Sequence, residues 1–96
     1  MSAVMIGGMD RLYRDYIEAA KSFGVDLKVF SGQERSIRKA LGTADAVILC
    51  MGKLSHAARI ETRKCADAKK IPVHMIHSAG VSSLRGCLER WATGNE

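Results

Sequence analysis

The sequence predicts an α/β fold, a three-layer sandwich in which helices cover both faces of a four-stranded parallel sheet. Short apolar runs alternate with longer stretches of helical period, and each run is followed by glycine or a small polar residue. A helix between consecutive strands requires parallel pairing with a right-handed crossover, and the strand order 2-1-3-4 satisfies this requirement. We expect one domain, 1–96, because half of a 96-residue chain is too short to bury a core of its own.

The first predicted strand spans residues 3–6 and ends at Gly7 and Gly8. Asp10 is placed to cap the helix that follows, and Gly24 stands where a left-handed residue ends a helix. Between them, apolar side chains recur at spacings of three and four residues, namely Leu12, Tyr13, Tyr16, Ile17, Ala20 and Phe23. We therefore expect both tyrosines to pack in the core.

The middle of the chain contains the next two predicted strands. Residues 27–30 form the second strand, and a short basic helix over residues 33–41 ends at Gly42. Ala46–Cys50 is the most apolar stretch of the chain, which is typical of a buried central strand.

The last part of the chain contains two helices and the fourth strand. Ser55 is predicted to be the N-cap of a helix that runs to about Lys70. Pro72 prevents continuation of this helix, and Val73–Ile76 is the fourth predicted strand. In the final helix, helical spacing predicts that four side chains face the core, namely Leu84, Cys87, Leu88 and Trp91.

Composition and charge limit the classes of function. The chain is 47% hydrophobic, which excludes disorder, and three cysteines are too few for a disulfide framework. Its apolar start is too short for a signal peptide and no run reaches the length of a membrane span, so we expect a cytoplasmic protein that does not bind membranes. The net charge is +5, but the basic residues are scattered. This pattern favours solvated helices and a small anionic ligand over nucleic acid.

Ligands in open parallel sheets bind beyond the carboxyl ends of the strands, here at residues 7–11, 31–33, 50–56 and 77–83. These loops lack the three-glycine dinucleotide pattern and a Walker lysine. Amides at helix starts still offer a site for phosphate or carboxylate, although tight turns explain the glycines equally well. The expected ligand-binding residues are Gly7, Gly8, Met9, Asp10, Arg11, Cys50, Met51, Lys53, Ser55, His56, His77, Ser78, Gly80, Ser82 and Ser83, with Arg11 and Lys53 as the nearby basic side chains.

Soft metal ligands gather at the same edge. Five Cys, His and Met residues fall in these loops or at the strand ends, namely Met9, Cys50, Met51, His56 and His77. Thioether, thiolate and imidazole groups suit haem iron or a transition metal, whereas the missing CxxC and HxxxH spacings argue against a dedicated zinc site. We expect Cys50, His56 and His77 to be the metal ligands.

Each of these three candidates has an alternative role. Cys50 precedes a helix N-terminus, which favours a thiolate. A role as a small buried hydrophobic side chain is equally compatible with its position. His56 lies in the first turn of a helix, where the dipole keeps the imidazole neutral, and it can instead brace the loop. His77 is expected at the mouth of the site, whereas His74 has the opposite strand parity and is expected in the core. No catalytic residue is predicted, and an enzyme is the least supported class.

Four pieces of the sequence together resemble one bacterial family, namely Gly7-Gly8-Met9-Asp10-Arg11, Ser55-His56, Pro72-Val73 and Ser78-Ala79-Gly80-Val81-Ser82-Ser83-Leu84. The family is known as domain of unknown function 2325, and the resemblance covers nearly the full chain. It implies a compact domain of Rossmann-like or flavodoxin-like βα repeats without a settled activity, and haem binding has been linked to some members. We expect many relatives to carry a Thr-Asp-like pair where this chain has Cys50 and Met51, so polar chemistry at this loop is not implied.

These observations predict a small cytoplasmic ligand-binding or sensing domain. The expected ligand is haem or a redox metal, held by soft ligands at the carboxyl edge of the sheet. The alternative is a phosphate-bearing small molecule or nucleotide at the helix N-termini of the same edge, and the third class is a protein-interaction module without a ligand. An exposed edge strand and an exposed methionine-rich surface are expected to be buried in an interface, so we expect a homodimer.

Overall fold

A four-stranded parallel sheet forms the centre of the molecule. The computed structural model describes residues 1–31, 37–52 and 54–92. Its strands are β1 Ser2–Ile6, β2 Asp26–Phe30, β3 Ala46–Cys50 and β4 Val73–Ile76. They pair in parallel in the order β2-β1-β3-β4, which confirms the predicted fold class and strand order. Ala3 of β1 lies between Leu27 of β2 and Ala46 of β3, and Val47 of β3 pairs with Val73 of β4.

Helices cover both faces of the sheet. They are α1 Tyr13–Lys21, preceded by a 3-10 turn at Asp10–Leu12, then α2 Ile37–Leu41, α3 His56–Ala68 and α4 Val81–Ala92. Because side chains alternate along a strand, each face of the sheet has its own core. The core under α1 and α4 includes Met5, Tyr16, Ala20, Ile48, Cys50, Leu84 and Leu88. The core under α2 and α3 includes Val4, Ile6, Ile37, Leu41, Val47, Leu49 and Ala66.

The predicted start of the first helix was wrong in one respect. Asp10 is not the N-cap but the first residue of a 3-10 turn, and Met9 occupies the cap position without a side-chain hydrogen bond. The Leu12 amide donates to the Met9 carbonyl at 2.9 Å, which closes this tighter turn before α1 begins. At the other end, Gly24 adopts a φ of 74°, so the predicted left-handed stop is confirmed.

The boundaries of the other elements differ by a few residues. Of the helix predicted over 33–41, the structure describes Ile37–Leu41, and residues 33–36 lie outside the described residues. α3 ends at Ala68 because Lys70 adopts a φ of 59° and the Ile71 amide donates to the Ala66 carbonyl at 2.8 Å. None of the helices in the described part of the chain combines the length and the hydropathy needed to span a bilayer.

Ser55 caps α3 as predicted, because its hydroxyl accepts a hydrogen bond from the Ala58 amide at 3.1 Å. Replacing Ser55 by Ala is expected to lower the free energy of unfolding by about 1 kcal/mol, since an amide at the helix start loses its acceptor. Urea denaturation measures this loss. Ser55→Asn, which retains an acceptor, should stay close to wild type, and an equal loss in both variants would show that the cap is not the cause.

Candidate functional site

The loops at the carboxyl edge of the sheet are packed tightly against one another. A Cβ at Gly7 would lie 2.8 Å from the Cys50 carbonyl oxygen, and one at Gly52 would lie 2.7 Å from the His77 carbonyl oxygen. A Cβ at Gly8 would meet the Tyr16 ring at 2.9 Å. These glycines therefore allow close backbone approach between the loops that follow β1, β3 and β4.

Tyr16 joins two of these loops through its hydroxyl. The hydroxyl accepts a hydrogen bond from the Met9 amide at 3.1 Å and donates to the Ala79 carbonyl oxygen. The side chain has no exposed surface, so the predicted packing of Tyr16 is correct. The polar role of Tyr16 was not predicted; its signal in the sequence is a tyrosine on an apolar stripe, where a buried hydroxyl needs a hydrogen-bond partner.

Several backbone amides in these loops donate hydrogen bonds within the protein. The Gly7 amide donates to the Phe30 carbonyl at 2.8 Å and the Gly80 amide to the Ser78 hydroxyl at 3.1 Å. The Met9 amide is taken by Tyr16, as described above. Asp10, Arg11, Ser78 and Ser82 are exposed, Met9, Gly80 and Ser83 are half-buried, and Lys53 lies outside the described residues.

The structure does not bring Cys50, His56 and His77 together. The Cys50 side chain is 0% exposed and lies in the core under α1 and α4, whereas His56 starts α3 on the opposite face of the sheet. His77 is exposed just beyond β4. Within the described residues, no group of three or more His, Cys, Asp or Glu side chains is close enough to hold a metal ion.

The remaining histidine and cysteines pack against apolar neighbours. His74 is half-buried, and its ring lies 6.1 Å from that of Trp91, measured between centroids. Cys87 is 3% exposed in the core under α4, and Cys65 packs at the margin of the core under α3. The inward position predicted for Cys87 is confirmed, whereas His74 is less buried than its strand parity predicted.

A groove between α3 and the carboxyl ends of β3 and β4 brings together two of the five predicted soft ligands, Met51 and His56. We call it the α3 groove; it has a volume of about 120 Å³ and is lined by Leu49, Met51, His56, Arg59, Ile60, Arg63 and Met75. Its helical residues stand at intervals of three to four, so they share one face of α3. Three of its side chains come from the ends of β3 and β4 or just beyond, which places the groove at the predicted edge of the sheet.

Two arginines give the α3 groove its charge. Arg59 Nη2 lies 3.3 Å from His56 Nδ1, and Arg63 Nη1 donates to Met75 Sδ at 3.3 Å. Arg59 Nε is buried and makes no hydrogen bond to any described residue. No carboxylate of the described residues lines the groove, and the contacts of both guanidiniums described above are with weak, neutral acceptors. The groove is therefore suited to an apolar molecule that carries anionic groups.

Five residues of this groove were not predicted from the sequence, namely Leu49, Arg59, Ile60, Arg63 and Met75. Arg59, Ile60 and Arg63 follow His56 at helical spacing, which was an available signal for one shared surface. Met75 joins them only through the packing of α3 against β4. The sequence placed Arg11 and Lys53 near the site, and the structure adds Arg59 and Arg63.

The charge of the molecule is divided unevenly between its two helical layers. Residues 37–41 and 56–70, which form α2, α3 and the turn after α3, carry seven basic side chains and two acidic ones. Residues 10–24 and 81–92, which include α1 and α4, carry five basic and four acidic side chains. The α3 groove thus lies on the more basic face.

Comparison with known families gave one match. The family described as "Uncharacterized protein conserved in bacteria (DUF2325)" matches residues 2–91. Curated proteins and solved structures gave no match to this chain.

Proposed function

We propose a ligand-binding function for this chain, which belongs to the DUF2325 family of uncharacterized bacterial proteins. The ligand is a flat, apolar molecule that carries carboxylates, and haem is the example that the side chains fit best. The observation that carries this proposal is the α3 groove, where an apolar floor, an imidazole and two arginines without a carboxylate partner lie side by side.

The chemistry of the groove matches each part of a haem. Leu49, Ile60 and the two methionines, Met51 and Met75, offer apolar contact to the macrocycle, and Arg59 and Arg63 offer charge to its two carboxylates. A haem brings four nitrogen ligands of its own, so the chain needs to supply only one or two axial donors. A bare metal ion needs three or four, and the described residues hold no such group. The donor set therefore favours haem over a transition metal alone.

His56 would hold the haem iron through its imidazole, and Arg59 contacts one of the two ring nitrogens. A guanidinium can only donate, so the 3.3 Å contact makes His56 Nδ1 an acceptor and leaves the proton of the neutral ring on Nε2. Nδ1 would be available to a ligand only where Arg59 no longer donates to it. Pairing of Arg59 with a haem carboxylate would compensate for that lost hydrogen bond. A bound haem would supply an iron centre for electron transfer or for binding a small gas molecule.

A volume of about 120 Å³ accommodates only part of a macrocycle. Another surface must cover the rest of the ligand, and the homodimer expected from the sequence would provide it. Sedimentation equilibrium with and without hemin tests this part of the proposal. A monomer under both conditions would contradict it.

The phosphate-bearing ligand proposed as the alternative has less support from the structure. Among the amides at the helix starts, those of Leu12 and Leu84 donate to backbone carbonyls and that of Ala58 to the Ser55 hydroxyl, so a phosphate at these amides would have to displace existing hydrogen bonds. The α3 groove requires no such displacement of backbone bonds.

Hemin titration tests the proposal directly. The wild-type chain is expected to shift and sharpen the Soret band of hemin, and His56→Ala should weaken binding at least tenfold because the axial donor is lost. His77→Ala is the matched control, since His77 is also exposed but does not line the α3 groove. A spectrum that stays that of unbound hemin, or equal weakening by both variants, would contradict the proposed site.

A further inference from the structure

The two edges of the sheet differ in how they are protected. At one edge, β2 exposes Asp26 and Lys28, and such charges discourage pairing with another strand. At the other edge, the four residues of β4 include no Lys, Arg, Asp or Glu. The β4 edge therefore lacks the charged side chains that protect the β2 edge.

The backbone of β4 offers hydrogen-bonding groups on its outer side. The carbonyls of Pro72 and Ile76 accept from Val47 and Met51 of the neighbouring segment at 3.0 and 2.8 Å, so these residues face β3. In a parallel strand, alternate residues direct their N–H and C=O groups to opposite sides. Val73 and Met75 accordingly direct theirs away from the sheet, where a further strand would pair with them.

Apolar and basic surfaces flank this edge on both faces of the sheet. The α3 groove lies on one face, and a second groove of about 420 Å³ lies on the other, lined by Pro72, Val73, His74, Met75, Cys87 and Arg90. Met75 and Ile60 are large hydrophobic side chains with 48% and 44% of their surface exposed. Arg63 lies on the face of the α3 groove and Arg90 on the other, and no carboxylate from the described residues lines the α3 groove.

We propose that the β4 edge binds an extended acidic segment of another protein, which adds to the sheet as a fifth strand. Backbone pairing with Val73 and Met75 provides affinity, and carboxylates at every second residue of the segment share one face of the added strand, where they meet Arg63. A second copy of this chain fits the edge less well, because its arginines would face those of the first copy. This inference goes beyond the proposed ligand-binding function, since strand addition requires no small ligand.

A fluorescein-labelled eight-residue peptide of alternating Glu and Val tests the proposal by anisotropy on the full chain without hemin. We expect it to bind at least tenfold more tightly than the same peptide with Lys in place of Glu. Two further peptides test strand pairing. One is N-methylated at its odd-numbered residues and the other at its even-numbered residues. One methylated set should lose binding and the other should bind within about twofold of the parent, because only alternate amides of an added strand face β4. This measurement needs no change in the protein.

Two charge reversals locate the site on the protein. Arg63→Glu is expected to weaken peptide binding at least fivefold, and Lys28→Glu, an equal charge change on exposed β2, should leave it unchanged. Equal effects of both variants, or binding that is insensitive to N-methylation, would overturn the proposal. Self-association of the chain that excludes the peptide would assign the edge to a second copy and would also overturn it.

Discussion

Gly7→Ala is expected to lower the free energy of unfolding by about 2–5 kcal/mol, as the sum of backbone strain and steric overlap. The φ of Gly7 is 95°, which an L side chain rarely adopts. The new Cβ would also lie 2.8 Å from both the Cys50 carbonyl oxygen and Leu54 Cγ. Since the carbonyl belongs to the central strand, its backbone cannot move away without disturbing the pairing of β3.

Gly24→Ala is the matched control for this prediction. Gly24 has a φ of 74°, but nothing lies within 4 Å of a Cβ built there. Gly24→Ala is therefore expected to lower the free energy of unfolding only by the cost of backbone strain, about 1–2 kcal/mol. Urea denaturation of both variants measures the difference, and equal losses would show that crowding at Gly7 contributes nothing.

Tyr16→Phe is expected to lower the free energy of unfolding by about 2–3 kcal/mol, because two partly buried groups lose their hydrogen-bond partner. The ring remains and keeps filling the core under α1 and α4, so little of this loss comes from packing. The Met9 amide and the Ala79 carbonyl are the groups left without Tyr16. The loops after β1 and β4 should then move more independently.

Hydrogen exchange and denaturation test both parts of this expectation. The Met9 amide should exchange faster in Tyr16→Phe than global unfolding accounts for. Thr62→Val is the control, because the buried Thr62 hydroxyl donates at 2.8 Å to Ala58 within the same helix and links no loops. An unchanged exchange rate at Met9 in Tyr16→Phe would show that the hydroxyl does not hold the two loops.

Local sequence signals were sufficient to predict the architecture. The bounds of β3 and β4 and the cap of α3 followed from an apolar run, a proline and a serine, each of which acts within a few residues of itself. The strand order followed from the helices between consecutive strands and the handedness of their crossovers. The Asp10 prediction was wrong because a 3-10 turn at Met9 replaced the expected capped start.

The candidate site depends on contacts that no local pattern encodes. Arg63 meets Met75 across the packing of α3 on β4, and Tyr16 reaches Ala79 from a distant part of the chain. Strand parity along β3 was a further signal that the sequence offered. Side chains alternate along β3, so Leu49 faces α3 whereas Cys50 faces α1 and α4. That alternation separates Cys50 from His56, although six positions divide them in the sequence.

The unequal charge of the two helical layers gives the molecule a preferred direction of approach. A protein with most of its positive charge on one side experiences a torque in the field of an anionic partner and rotates before contact. The layer of α2 and α3 would lead, and the α3 groove would reach the partner first. Raising the ionic strength should weaken this alignment and slow association with an acidic partner, because the Debye length falls to about 3 Å at 1 M salt.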